Sequence, residues 1–137
     1  MPGKDHLITP SELIVMKVIW KEQPCTASNI VEYISKQSDW HFRTIKTLLR
    51  NLVAKQAVGF HVDVHDSRVY HYYALIQEED YLKQEREQFL KLYYDGSMST
   101  LLTGFVKDSS MTPEEVQQLR SLLNRRMGEQ GEGGNTK

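Results

Sequence analysis

At Val58 the apolar pattern of this 137-residue chain changes its period, and that change limits the fold more than any other feature. Upstream, apolar side chains recur at about 3.6 residues, the period of a helix buried on one face. Downstream, Val58, Phe60, Val62 and Val64 alternate with Gly59, His61 and Asp63, the period of a strand. Few compact arrangements join several short helices to a strand pair over so short a length.

The helical part divides into three. Thr9-Pro10-Ser11-Glu12 reads as a helix start: Thr9 caps, Pro10 suits the first turn, and Glu12 reaches back to the cap. Leu13, Met16, Ile19 and Trp20 supply its apolar face, and Pro24 ends it. Thr26 and Ser28 offer caps for a second helix carrying Ile30, Val31 and Ile34. A third is expected from about Phe42 to Gln56, with Ile45, Leu48, Leu49, Leu52 and Val53 inward. His65-Asp66-Ser67 is a turn, and Arg68 to Ala74, rich in Val and Tyr, is the return strand of a hairpin. Three helices and a hairpin, in that order, are a winged helix-turn-helix.

The third helix carries a second stripe. Arg43, Lys46, Thr47 and Arg50 fall at i, i+3, i+4 and i+7, nearly opposite the apolar side, with no acidic residue between Arg43 and Asp63. Arg and Lys can bond guanine O6 and N7, and Thr can meet a thymine methyl or a phosphate, as in a helix laid in a major groove. Thr44 sits near the helix start, where such contacts concentrate. Thr26 and Ser28 are placed to donate to phosphate, and Arg68 at the hairpin tip to reach backbone or minor groove. For an isolated helix a basic stripe is as well explained as a solvated face; the helix-hairpin setting favours the groove.

Read alone, the net charge of −1 argues against a nucleic-acid binder. It is an average. Residues 1–76 hold nine basic and seven acidic side chains, and residues 77–137 hold eight and eleven. Arg43, Lys46, Arg50 and Lys55 lie within 41–60, which contains no acid.

After residue 76 the composition shifts. Helices are expected at about Glu78 to Tyr94, Ser97 to Lys107 and Pro113 to Met127, the last behind a capping box at Thr112-Pro113-Glu114-Glu115. Phe89, Leu92 and Tyr93, then Leu101, Leu102 and Phe105, then Leu119, Leu122 and Leu123 form apolar stripes on short helices that bury little among themselves. A second copy would bury the excess; completion of a monomeric core is the alternative. Residues 128–137 carry no apolar side chain and are expected to be a disordered tail. The expected architecture is therefore mainly α with a small β-hairpin wing: a winged-helix DNA-binding domain over 1–76, a helical dimerisation domain over 77–127, and the tail.

Several stretches resemble one family. Glu12-Leu13-Ile14-Val15-Met16-Lys17-Val18-Ile19-Trp20 resembles the E-x-x-V-M-x-x-x-W opening of the BlaI/MecI/CopY penicillinase-repressor family. Arg43-Thr44-Ile45-Lys46-Thr47-Leu48-Leu49 resembles its recognition helix, Val69 to Tyr73 its wing strand, and Phe89 to Phe105 its dimerisation region. The resemblance implies a homodimeric repressor on palindromic double-stranded operator DNA, with Arg43, Thr44, Lys46 and Thr47 as groove and phosphate contacts. Many members place an Arg where this chain has Asn51; here Arg50 comes one residue earlier, about 100° around the helix. Members that sense β-lactams are released by a sensor-protease that cuts an Asn-Phe bond, matched here by Gly104-Phe105. Copper-responsive members use a C-terminal cysteine hook. This chain has no cysteine after Cys25, so release through such a hook is excluded.

Other chemistry is weaker. His61, Asp63 and His65 alternate and could face one side as metal ligands, though a polar outer wing face explains them better; no resident metal or cofactor is expected. Cys25, the one cysteine, lies near a helix start, where a thiol pKa falls, yet it has no partner in the chain for a disulfide. No phosphate loop, zinc-protease or nucleophile motif points to an enzyme. No apolar run approaches the ~18 residues of a membrane span, and MPGKDHLITP does not resemble a secretory signal, so a cytoplasmic place is expected. Two alternatives stay open: a winged-helix module for protein or single-stranded nucleic acid, and a metal-responsive winged-helix regulator.

Overall fold

The computed structural model describes residues 7–108 and 110–134, with side chains described as far as Glu129. Its elements are α1 (Pro10–Glu22), α2 (Ala27–Ser35), α3 (Phe42–Ala54), β1 (Val58–Val62), β2 (Tyr70–Ala74), α4 (Glu78–Tyr94), α5 (Met98–Lys107) and α6 (Pro113–Gly134). The chain divides into two compact units, Met1–Gln84 and Glu85–Lys137.

The first unit is the three-helix core with its hairpin wing. Val15, Met16, Val18 and Ile19 of α1 meet Ile30 and Ile34 of α2 and Ile45, Leu49 and Leu52 of α3 in one buried cluster. Leu13 and Trp20, expected on the inner face of α1, are only partly buried, while Val15 and Val18 go deeper. Leu13 to Trp20 is apolar on every side but that of Lys17, so its periodicity does not select a face. The start of α4 belongs here too. Tyr81 is buried, its ring lies 5.7 Å from that of Trp20, and the Trp20 indole N–H donates to the Ile76 carbonyl at 2.8 Å. The unit thus ends beyond the expected boundary at residue 76, because Tyr81 and Leu82 carry the apolar core into the first turns of α4.

The starts of α1 and α2 are capped as their sequences predict. At α1 the Thr9 hydroxyl accepts from the Glu12 N–H at 3.1 Å and Glu12 Oε1 accepts from the Thr9 N–H at 3.0 Å. Thr26 and Asn29 repeat this reciprocal pair at α2. The end of α3 turns through Gln56 at φ 64°, with the Ala57 N–H donating to the Leu52 carbonyl and the Gln56 N–H to that of Val53. This is a Schellman ending with Gln where Gly is usual.

β1 and β2 pair antiparallel, Val58 opposite Ala74 and Val62 opposite Tyr70. Gly59 is there for space: a Cβ would lie 3.0 Å from the Tyr73 ring. The strands are shorter than the alternation suggested. Asp63 Oδ2 accepts from the N–H groups of His65 and Asp66, folding the chain into an Asx turn, so Val64 leaves the strand and is 89% exposed. Cys25 exchanges two backbone hydrogen bonds with Tyr72, tying the α1–α2 connection to the hairpin.

In the second unit none of the described residues from 85 to 129 is buried. Ser97 caps α5, and Thr112 and Glu115 form the expected box at α6. α6 runs on through Gly128 to Gly134, where a disordered tail was expected; each added residue extends an existing helix and needs no new nucleus. Residues 135–137 of that expected tail lie outside the described residues. Among the described residues no helix is long and apolar enough to cross a membrane.

Candidate nucleic-acid interface

α3 separates its two stripes cleanly. Ile45, Leu49 and Leu52 are buried, whereas Arg43, Thr44, Lys46, Thr47 and Arg50 are exposed. Burial of one side thus presents three cations and two hydroxyls on the other. Among the described residues none of the three cations pairs with a carboxylate.

Lys55 is a correction to the basic cluster read from residues 41–60. It closes the C-terminal end of α3, and its ammonium lies 2.5 Å from Glu12 Oε1 and 2.8 Å from the Leu7 carbonyl. Burial pushes the Glu12 carboxyl up, but the Lys55 hydrogen bond and charge, with the Thr9 N–H, hold it below the usual glutamate range. Lys55 braces α3 against the start of α1 and adds nothing to the exposed stripe.

Two residues at the start of α3 were not singled out from the sequence. His41 is its N-cap, with Nδ1 accepting from the Arg43 N–H at 3.1 Å. Phe42 is 44% exposed; the Lys46 ammonium lies 5.3 Å from its ring centroid and the Arg43 guanidinium 5.9 Å. The signal was available: an aromatic beside a basic stripe can gather its cations by cation–π attraction.

A cleft of about 590 Å³ opens between the start of α2, α3 and the hairpin. Thr26, Ser28, Lys46, Arg50 and Arg68 all line it, so five residues chosen from separate parts of the sequence converge. The Thr26 hydroxyl accepts from Asn29, which leaves its own proton for a donor bond outward. Arg43, Thr44 and Thr47 are not among the lining residues and stand on the exposed side of α3. Arg68 reaches the wing tip as expected but bonds Asp66 through Nε and a terminal nitrogen at 3.1 and 3.2 Å. That bond holds the Asp66 carboxyl below its ordinary range. A pair this exposed binds weakly and opens readily for a phosphate.

The His61, Asp63 and His65 alternation does not survive, because Asp63 and His65 fall in the turn. Asp63 Oδ1 instead meets His71 Nε2 at 2.8 Å, and His71 stands opposite His61 with ring centroids 5.5 Å apart. The His71 contact leads the causes that lower the Asp63 pKa. Among the described residues no group of three or more His, Cys, Asp or Glu is placed to hold a metal. Cys25 is 2% exposed, and burial pushes its thiol up, against the lowering expected from its place before a helix.

In the second unit Phe89, Leu92, Tyr93, Phe105, Leu122 and Leu123 are exposed, with Leu101, Leu102 and Leu119 half-buried. Gly104 and Phe105 lie inside α5, and the Gly104 carbonyl accepts from the Asp108 N–H at 3.0 Å.

Three packed helices, a hairpin wing and, on the third helix, a cationic face without a carboxylate partner among the described residues define a winged-helix protein with a basic recognition helix. The chain belongs to the penicillinase repressor family, whose pattern matches residues 8–125. It is 32% identical over 126 residues to the methicillin resistance regulatory protein MecI of Staphylococcus aureus strain N315, covering 92% of this chain and 100% of the relative. It is 33% identical over 116 residues to the penicillinase repressor of Bacillus licheniformis, covering 85% and 88%. The solution structure of the DNA binding domain of the repressor BlaI aligns with 55% of this chain and 88% of its own, at 37% identity and a TM-score of 0.49.

Proposed function

We propose that this chain is a transcriptional repressor that binds double-stranded operator DNA as a homodimer. The observation that carries the reading is the exposed face of α3: Arg43, Lys46 and Arg50, with Thr44 and Thr47 between them and no carboxylate partner among the described residues. Set in a major groove, this face bonds base edges and phosphates, while Thr26, Ser28 and Arg68 grip the flanking backbone. The names of the MecI and penicillinase-repressor relatives support the same role. It acts by occupying a promoter, without a chemical step, and its place of action is the cytoplasm.

The second unit supports the dimer. Helices with no buried described residue and exposed Phe89, Leu92, Tyr93, Phe105, Leu122 and Leu123 gain a core by pairing with a second copy. Two-fold symmetry then sets two recognition helices about one DNA turn, or a multiple of it, apart. Release by a sensor-protease at Gly104-Phe105 requires α5 to open first, since its carbonyls are hydrogen-bonded. A glycine there, about 1 kcal/mol worse than Ala in a helix, eases that opening.

A gel-shift titration on DNA from upstream of the protein's own coding region tests the reading. Arg43→Ala with Lys46→Ala should abolish the specific shift. Specific binding that survives the pair removes the proposed contacts, and a strict monomer that prefers single strands favours the alternative module.

A further inference from the structure

The cleft beside α3 has a property that duplex binding does not require. Lys46 and Arg50 line it together with the hairpin aromatics Phe60, Tyr70 and Tyr72. Phe60 and Tyr70 stack face to face there, with centroids 4.4 Å apart and planes within 5°, and the Tyr72 ring lies 5.8 Å from Phe60. Phe60 is 39% and Tyr70 38% exposed, although both stand on the wing face that alternation marks as apolar. No carboxylate lines the cleft among the described residues. A phosphate backbone is satisfied by the cations and hydroxyls alone; the aromatic surface that Phe60 and Tyr70 leave exposed suits an apolar ring. At about 590 Å³ this open cleft, with polar and apolar groups both lining it, has room for a small planar molecule.

We propose that this cleft binds a planar aromatic anion, an arene carboxylate or sulfonate. The ring packs against the exposed part of the Phe60–Tyr70 stack and the acid group pairs with Lys46 and Arg50. The occupant goes beyond the DNA reading but touches it, because Thr26, Ser28, Lys46, Arg50 and Arg68 also serve that role. A molecule seated there neutralises two cations of the recognition face and fills the space between helix and wing. Its binding and operator binding are mutually exclusive, so the anion acts as a direct inducer that needs no second site.

The test titrates the full chain with naphthalene-1-sulfonate and follows backbone amide NMR shifts, with 1-naphthalenemethanol as the uncharged control. Saturable shifts should concentrate at 26–28, 46–53, 60 and 68–72, and the uncharged compound should bind at least about tenfold more weakly, the factor expected for a paired, partly desolvated charge. Arg50→Gln, a change at an exposed position, should weaken the sulfonate by about tenfold, and operator duplex should displace it. Shifts confined to the exposed apolar helices of 85–129, equal binding of the uncharged control, or no saturable binding each overturn the proposal. Operator binding without sulfonate binding removes this site and leaves the DNA reading standing; sulfonate binding without operator binding does the reverse.

Discussion

Replacing Glu12 by Gln tests how the recognition helix is held. Glu12 is 3% exposed, and its carboxylate accepts from the Thr9 N–H and from Lys55, whose side chain keeps 28% exposure. Gln preserves the shape and an acceptor for Thr9 but leaves the Lys55 ammonium without its counter-charge. Removing one partner of a fully buried pair costs about 3–5 kcal/mol, and a charged hydrogen bond contributes about 1.5–3. Because Lys55 retains access to water, the lower figure applies, so a loss of about 2 kcal/mol is expected. At about 4–8 °C per kcal/mol for a domain of this size, the first unit should melt roughly 8–16 °C lower. The pH dependence has a definite sign. The folded Glu12 pKa is depressed, so its contribution is complete above the unfolded value of about 4.3 and is lost as pH falls through the folded value. Wild type and variant, melted by circular dichroism, should differ fully at neutral pH and converge in acid. A double-mutant cycle with Lys55→Met should return a coupling of about 1–2 kcal/mol. A loss under about 0.5 kcal/mol, or a difference unchanged down to pH ~3, refutes the brace.

Two further changes read other parts of the structure. Gln56→Gly relieves a left-handed residue at φ 64° and should stabilise the first unit by about 0.5–1 kcal/mol in urea unfolding; destabilisation would contradict the Schellman ending. Leu122→Glu with Leu123→Glu should convert a dimer to a monomer in sedimentation and weaken operator binding at least about tenfold; a persistent dimer would move the interface elsewhere.

What the sequence shows depends on how local the cause is. The caps at Thr9, Thr26 and Thr112 are legible because each bond spans three residues, and the two stripes of α3 because a helix keeps its period. The inner face of α1 is not, since Leu13 to Trp20 offers apolar residues on almost every side. Lys55 reads as part of a basic patch until folding brings it to Glu12, 43 residues away. His71 is hidden for the same reason: only the hairpin register sets it against His61 and Asp63. Asp63 ends its strand because its side chain takes two backbone N–H groups, which alternation of apolar residues does not register. The cleft is the extreme case. Its cations are legible residue by residue, but its aromatic lining exists only where Phe60, Tyr70 and Tyr72 meet across the hairpin.

The central claim is that the exposed face of α3 reads operator DNA. The most direct measurement is operator affinity against salt concentration, for wild type and for Arg43→Ala, Lys46→Ala and Arg50→Ala combined, each compared with a scrambled duplex of equal length. These side chains are exposed, so the variant keeps its core. Phosphate neutralisation makes log affinity fall linearly with log salt, by about 0.9 per phosphate. Wild type should prefer the operator and show a steep slope; the variant should lose the preference and flatten the slope by at least about one unit. An unchanged slope together with an unchanged operator preference in the folded variant would contradict the claim.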